Sequence, residues 1–83
     1  MYLEILTPDK KIFEGEAEAV QLPGKKGLFE VLNNHAPIIS DLEEGKIRIK
    51  TSNDEQIINI DGGVVEVLEN KIVVLVESES EKA

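Results

Sequence analysis

Apolar and polar residues alternate with a period of two through most of this chain, and the alternation is broken at short intervals by glycine, proline or asparagine. That period belongs to strands with one face buried, and the interruptions read as turns. Lys46-Ile47-Arg48-Ile49-Lys50 is the clearest case, with two isoleucines on one face and three bases on the other. Val64 to Leu68 and Lys71 to Val76 are β-branched runs joined by Glu69-Asn70, a two-residue link of the hairpin kind. The second run is apolar at every position from Ile72 to Val76, which predicts burial on both faces. Gln56 to Ile60 lies between two turn signatures, Ser52-Asn53-Asp54 and Asp61-Gly62-Gly63. Tyr2 to Thr7 is a strand stopped by Thr7-Pro8-Asp9 and resumed over Lys11 to Glu14. Gly15 is expected to break the chain ahead of Glu16 to Leu22, a segment too short for an isolated helix but alternating enough for a strand.

The residues that restrict the backbone most are collected between Leu22 and Ile39. Pro23 and Gly24 have the chemistry of a type II turn, proline presetting the first central φ and glycine supplying the positive one. Gly27 leads into Leu28 to Leu32, where Phe29 and Val31 alternate with Glu30. Asn33 and Asn34 tolerate left-handed conformations and predict a reversal, followed by His35 and by Ala36-Pro37, which is held extended. Ser40-Asp41-Leu42-Glu43 places a hydroxyl three residues ahead of a glutamate, a capping box for one helical turn at most, which Gly45 would close. A rigid segment with a polar tip of Lys25, Lys26, Asn33, Asn34 and His35 reads as a docking loop.

Eight or nine short strands without a long helical pattern predict an all-β antiparallel sandwich or flattened barrel. It occupies residues 1–77, with a polar tail over 78–83 that lacks apolar periodicity. At 83 residues the chain has room for one modest core. A formal charge of −8 opposes binding to nucleic acid or anionic lipid, both of which need a basic footprint. The absence of cysteine excludes disulfides and thiolate metal sites. The first residues carry neither a basic segment nor a long apolar run, and no apolar stretch approaches the length of a membrane span.

No constellation of catalytic residues assembles. His35 is the sole histidine, too few for a histidine-rich zinc site or for a two-histidine catalytic set. Leu22 to Gly27 has glycines but not the lysine–hydroxyl ending and following helix of a phosphate loop. Glu14, Glu16 and Glu18 form an acidic edge whose spacing matches no calcium loop. Tyr2, Phe13 and Phe29 alternate toward the expected core rather than forming an exposed ring platform. No catalytic residue, cofactor or metal is expected.

With these residues read, the chain resembles the N-terminal β-sandwich domain of the epsilon subunit of F-type rotary ATP synthases. The landmarks are Phe13-Glu14-Gly15, Leu22-Pro23-Gly24, Gly27, the Leu32-Asn33-Asn34-His35-Ala36-Pro37 run, Leu42 with Gly45, Asp61-Gly62-Gly63 and Val73-Val74-Leu75. The resemblance implies a sandwich of about ten strands at the foot of the central stalk, a non-catalytic rotor part that binds the gamma subunit and the c ring and couples ion-driven rotation to ATP synthesis. It implies that Thr7, His35 and Ser40 fall at one end of the sandwich against gamma. Lys26, Gly27 and Leu28, with Asn33 and Asn34 nearby, would meet the c ring. Leu28 stands where many members have an acidic residue, Glu30 where many have glycine, and Asn33 where many have proline. Many bacterial relatives continue into a helical hairpin that inhibits ATP hydrolysis; this sequence, ending at Ala83, is expected to lack it. A bacterial source is expected, with a monomeric free chain and a peripheral place on the cytoplasmic face of the plasma membrane. Leu28, Leu32 and Ile38 are the expected exposed apolar contacts. The alternative is a free-standing sandwich that binds a small ligand or carbohydrate, with a small hydrolase further behind.

Overall fold

Within residues 1–77, which the computed structural model describes, the alternating runs are strands: β1 (Tyr2–Leu6), β2 (Lys11–Glu16), β3 (Ala19–Gly24), β4 (Gly27–Leu32), β5 (Ile38–Leu42), β6 (Gly45–Lys50), β7 (Glu55–Ile60), β8 (Gly63–Leu68) and β9 (Lys71–Val76). The tail expected over 78–83 lies outside the described residues. The strands form one curled sheet that folds over itself into two layers. One layer has the order β2-β1-β9-β8-β5, and the other contains β3, β6 and β7 with β4 paired to β3. The layers join at a single bridge, Leu42 of β5 with Gly24 of β3.

Between the layers lie the residues that the alternation pointed inward. Leu3, Ile5, Val65, Val67, Ile72 and Val74 from the first layer meet Val20, Leu22, Val31, Ile47, Ile49 and Ile60 from the second, all essentially without solvent contact. Lys46, Arg48 and Lys50 face outward, as the pattern of β6 requires. Phe13, Phe29 and Ile38 pack at the rim of this core. The all-β sandwich expected from the strand pattern is the observed fold, with nine strands among the described residues.

Several local expectations are corrected. The sheet is mixed, because β1 pairs in parallel with β9 from Tyr2↔Lys71 to Leu6↔Leu75; strands so distant in sequence leave no local signal of their pairing. The turn expected at Pro23-Gly24 lies two residues later, at Lys25 and Lys26, and it is Gly27 that takes the positive φ of 122°. Gly24 remains in β3, where the Phe29 ring would lie 2.9 Å from an added Cβ. Gly15 does not break the chain but stays in β2, and the following strand begins only at Ala19.

Ser40-Asp41-Leu42-Glu43 forms no helical turn. Ser40 to Leu42 belong to β5 and pair with Val65 to Gly63. A helix cap contributes about 1 kcal/mol, whereas burying the Leu42 side chain alone contributes about 2 kcal/mol, so the strand wins. β9 is buried on one face only. Ile72, Val74 and Val76 point inward, Val73 is half-buried and Leu75 is exposed. The Glu69-Asn70 link is found as expected, with both residues at positive φ (51° and 62°), the geometry of a tight hairpin turn.

Candidate functional site

Strand direction divides the expected contact residues between two ends of the sandwich. Thr7 follows the last residue of β1, at the end where β9 finishes. Its hydroxyl accepts hydrogen bonds from the amides of Asp9 (3.2 Å) and Lys10 (3.1 Å), which closes the turn that Pro8 begins. Asn33, Asn34 and His35 lie at the opposite end, where β9 starts: the Asn34 amide donates to Asn70 Oδ1 at 2.8 Å. The strand between Asn70 and the Thr7 end spans about 17 Å at the usual rise per residue. Thr7 and His35 are therefore not at one end of the sandwich, which corrects the sequence-based expectation. Lys26, Gly27 and Leu28 share the Thr7 end and are likewise separated from Asn33 and Asn34.

The loop around His35 is built on its own contacts. Asn33 Oδ1 accepts a hydrogen bond from the N-terminal ammonium of Met1 (2.7 Å), and the His35 amide donates to Leu32 O (3.2 Å). His35 Nδ1 lies 2.7 Å from Ala36 O. A carbonyl only accepts, so Nδ1 carries the proton. Asn34 adopts φ 64°, the left-handed conformation for which asparagine is suited.

Ser40, in the middle of β5, points toward the interlayer space and is half-buried. Beside it an open depression of about 550 Å³ is walled by Lys26, Gly27, Leu28, Phe29 and Ile39. A second open depression of about 640 Å³ lies at the Thr7 end, floored by Leu6, Val64 and Leu75 and rimmed by Lys25, Asp41 and Asp61. Lys25 Nζ stands 3.8 Å from Asp41 Oδ2 across its rim.

The exposed apolar residues were only partly anticipated. Leu28 and Leu32 are exposed as expected, at 66% and 52%, but Ile38 is turned inward and its neighbour Ile39 is 75% exposed. Two adjacent isoleucines in a strand must face opposite ways, so the sequence contained the signal without its direction. Leu75 pairs with Val64 on one side and with Leu6 on the other, and Leu68 and Ile39 share this outer face with the exposed Glu66, which lies between Val64 and Leu68 and opposite Ile39. The outcome is an outer face on β5, β8 and β9 where apolar side chains surround Glu66, with Thr7 at one margin and His35 near the other. Only the register between distant strands assembles it.

Next to that face, Tyr2 OH donates a hydrogen bond to Glu14, and Lys11 Nζ pairs with Glu14 (3.0 Å) and with Glu4 (3.2 Å). The hydrogen bond to the Glu14 carboxylate pushes the Tyr2 phenol up to about 12. The same bond, followed by that from Lys11, lowers the Glu14 carboxyl, and Glu14 then Glu4 raise the Lys11 ammonium. Lys71 Nζ lies 5.7 Å from the centre of the Tyr2 ring. These partners hold the β1–β2 edge together. Among the described residues no three of His, Cys, Asp and Glu are grouped to hold a metal ion.

Residues 1–81 match the family described as "ATP synthase, Delta/Epsilon chain, beta-sandwich domain". The chain is 44% identical over 79 residues to the ATP synthase epsilon chain of Chlorobaculum tepidum, covering 94% of this chain and 90% of that one. It is 50% identical over 76 residues to the ATP synthase epsilon chain of Sulfurimonas denitrificans, where it covers 58% of the relative. Among solved structures, a chain in the central stalk/c-ring structure of the Tetrahymena thermophila mitochondrial ATP synthase superposes with a TM-score of 0.83 at 16% identity, over 95% of this chain and 64% of that one.

Proposed function

This chain belongs to the ATP synthase delta/epsilon β-sandwich family, and from that membership we propose that it is a non-catalytic central-stalk subunit of a bacterial F-type ATP synthase. It binds the gamma subunit and the c ring and turns with them, coupling ion-driven rotation to ATP synthesis at catalytic sites elsewhere in the complex. Its place is peripheral, on the cytoplasmic face of the plasma membrane.

The observation that carries this reading is the group of exposed apolar residues Ile39, Val64, Leu68 and Leu75 that surrounds Glu66 on one outer face of an otherwise well-packed sandwich. Exposed apolar side chains gathered on one face mark a protein contact, and in this family gamma is the partner they suit. Thr7 and His35 border that face at opposite ends and Ser40 faces the opening beside β5, so a partner laid along the strands and over the β5 edge reaches all three. The c ring meets the β3–β4 tip, at Lys26, Gly27 and Leu28. Asn33 and Asn34, held at the far end, support the gamma side by fixing the His35 loop. A ligand-binding sandwich would need an enclosed apolar pocket, and both depressions here are open to solvent.

The test is binding of the purified chain to recombinant gamma, alone and within the alpha-beta-gamma assembly, with Ser40→Arg and His35→Ala as variants. Tight one-to-one binding is expected, weakened at least about tenfold by the Ser40 change because a long cation enters a space that the partner covers. No binding at micromolar concentrations would remove the rotor reading.

A further inference from the structure

Among the described residues, β5 is left half paired beside an apolar opening. Along its whole length it is paired to β8, but its other edge meets β3 only at Leu42. The Glu43 amide donates to Pro23 O at 2.8 Å on that second side. Backbone groups alternate sides along an antiparallel strand, so the amides of Asp41 and Ile39 and the Ile39 carbonyl face that same side, the Asp41 carbonyl being taken by the bridge to β3. The free length, Ile38 to Asp41, is about 13 Å, room for four residues of an added strand.

The other outer edges carry the usual protection against such pairing. β2 presents Lys11, Glu14 and Glu16, and β7 presents Glu55 and Gln56, all exposed. β4 carries Glu30 at its middle. β5 presents Ile39 outward and Ser40 inward, with no charge before Asp41. The depression beside it has Leu28 and Phe29 as its far wall and Lys25 and Lys26 at its mouth. Those lysines are notable in a chain of formal charge −8.

We propose that β5 is the docking edge for an extended strand of gamma, which adds to the first layer by main-chain pairing and closes the opening between β5 and β4. This rests on the rotor reading and specifies how gamma is held. The entering strand alternates, with apolar side chains turned inward against Phe29 and Ile38 and a carboxylate placed at Lys26, since Lys25 already pairs with Asp41. Ile39 lines the opening and also stands at the β5 margin of the outer face of β8 and β9, so one partner covers both. Main-chain hydrogen bonds supply affinity in this mode and the side-chain pockets supply selectivity.

The experiment combines amide exchange with two substitutions, using the whole chain and recombinant gamma. In the complex the amides of Ile39 and Asp41 exchange at least about tenfold more slowly than in the free chain, as pairing requires. Ile39→Pro removes an amide on the open side while leaving the β8 ladder intact, and lowers affinity for gamma about tenfold, the scale of one main-chain hydrogen bond. Ile57→Lys, an exposed isoleucine on the β7 edge, leaves affinity unchanged. Thermal unfolding of both variants checks that they fold, and the exchange measurement on the unsubstituted chain stands if Ile39→Pro does not. Binding to gamma with neither protection nor a loss in Ile39→Pro overturns strand addition and leaves the rotor reading in place. Absence of binding overturns both.

Discussion

Tyr2, Glu14 and Lys11 show how three exposed side chains acquire a pH signature from their arrangement alone. The phenol titrates at about 12 instead of 10.0, because ionising it would cost the hydrogen bond to a carboxylate and place two anions together. As the only tyrosine, it gives an unmixed phenolate absorbance. Glu14→Gln is expected to return the midpoint toward 10. The linkage has two limbs. Tyr2 and Lys11 have raised values in the folded chain, so their contribution is complete below about pH 10 and is lost as the pH climbs through the folded values. Glu14 is lowered, so its contribution is complete above 4.5 and is lost as the pH falls through its folded value. Melting temperature against pH should therefore separate wild type from Glu14→Gln on the plateau and converge at both extremes; a constant difference at all pH values would contradict the network.

At the level of strands, the tightest requirement lies where β8 begins beside the end of β9. A Cβ at Gly63 would fall 2.2 Å from the Leu75 carbonyl oxygen and 3.0 Å from Val76 Cα, both backbone atoms in a paired strand. Gly63→Ala must push β8 and β9 apart, and is expected to cost about 3 kcal/mol or more, beyond the usual range for one added methyl in a core. Urea unfolding measures it, and a change under about 1 kcal/mol would show that the strands yield more easily than their pairing implies. Strand β6 was legible because its alternation extends over several residues after Gly45, and β9 because a β-branched run follows the Glu69-Asn70 turn. The turn after β3 was misplaced because Pro23 and Gly24 have turn chemistry, while the hairpin register with β4 selects the following pair. Ser40 to Glu43 was misread for a related reason. A capping box is a local signal, and pairing with β8 is a distant one of larger energy.

The whole molecule measures 30 × 27 × 23 Å, with 5131 Å² of surface. Two partners of standard size, each covering roughly 800 Å² of it, would leave about two thirds free. One such footprint has a diameter close to the length of the sandwich, which is why residues at opposite ends can serve one partner. That geometry also explains why the expected contact residues were placed at one end when strand direction puts them at two. Thr7 and His35 are identifiable as polar loop positions, but the end to which each belongs depends on strand direction. The apolar face of Leu75, Val64 and Ile39 was hidden for the same reason, since its members come from three strands.

The parallel pairing of β1 with β9 has a consequence for synthesis on the ribosome. β1 emerges first, yet one of its two neighbours is the last strand of the described fold, and contacts between such distant segments form late. Until Lys71 to Val76 clears the exit tunnel, Leu3 and Ile5 have β2 beside them and no β9. Nascent chains halted with this strand inside the tunnel are expected to be cut readily by protease, and chains halted after its release to resist; early resistance would show that β1 can wait in a folded setting. The sandwich therefore becomes competent for assembly only once β9 has left the tunnel, and until then any partner meets an incomplete fold.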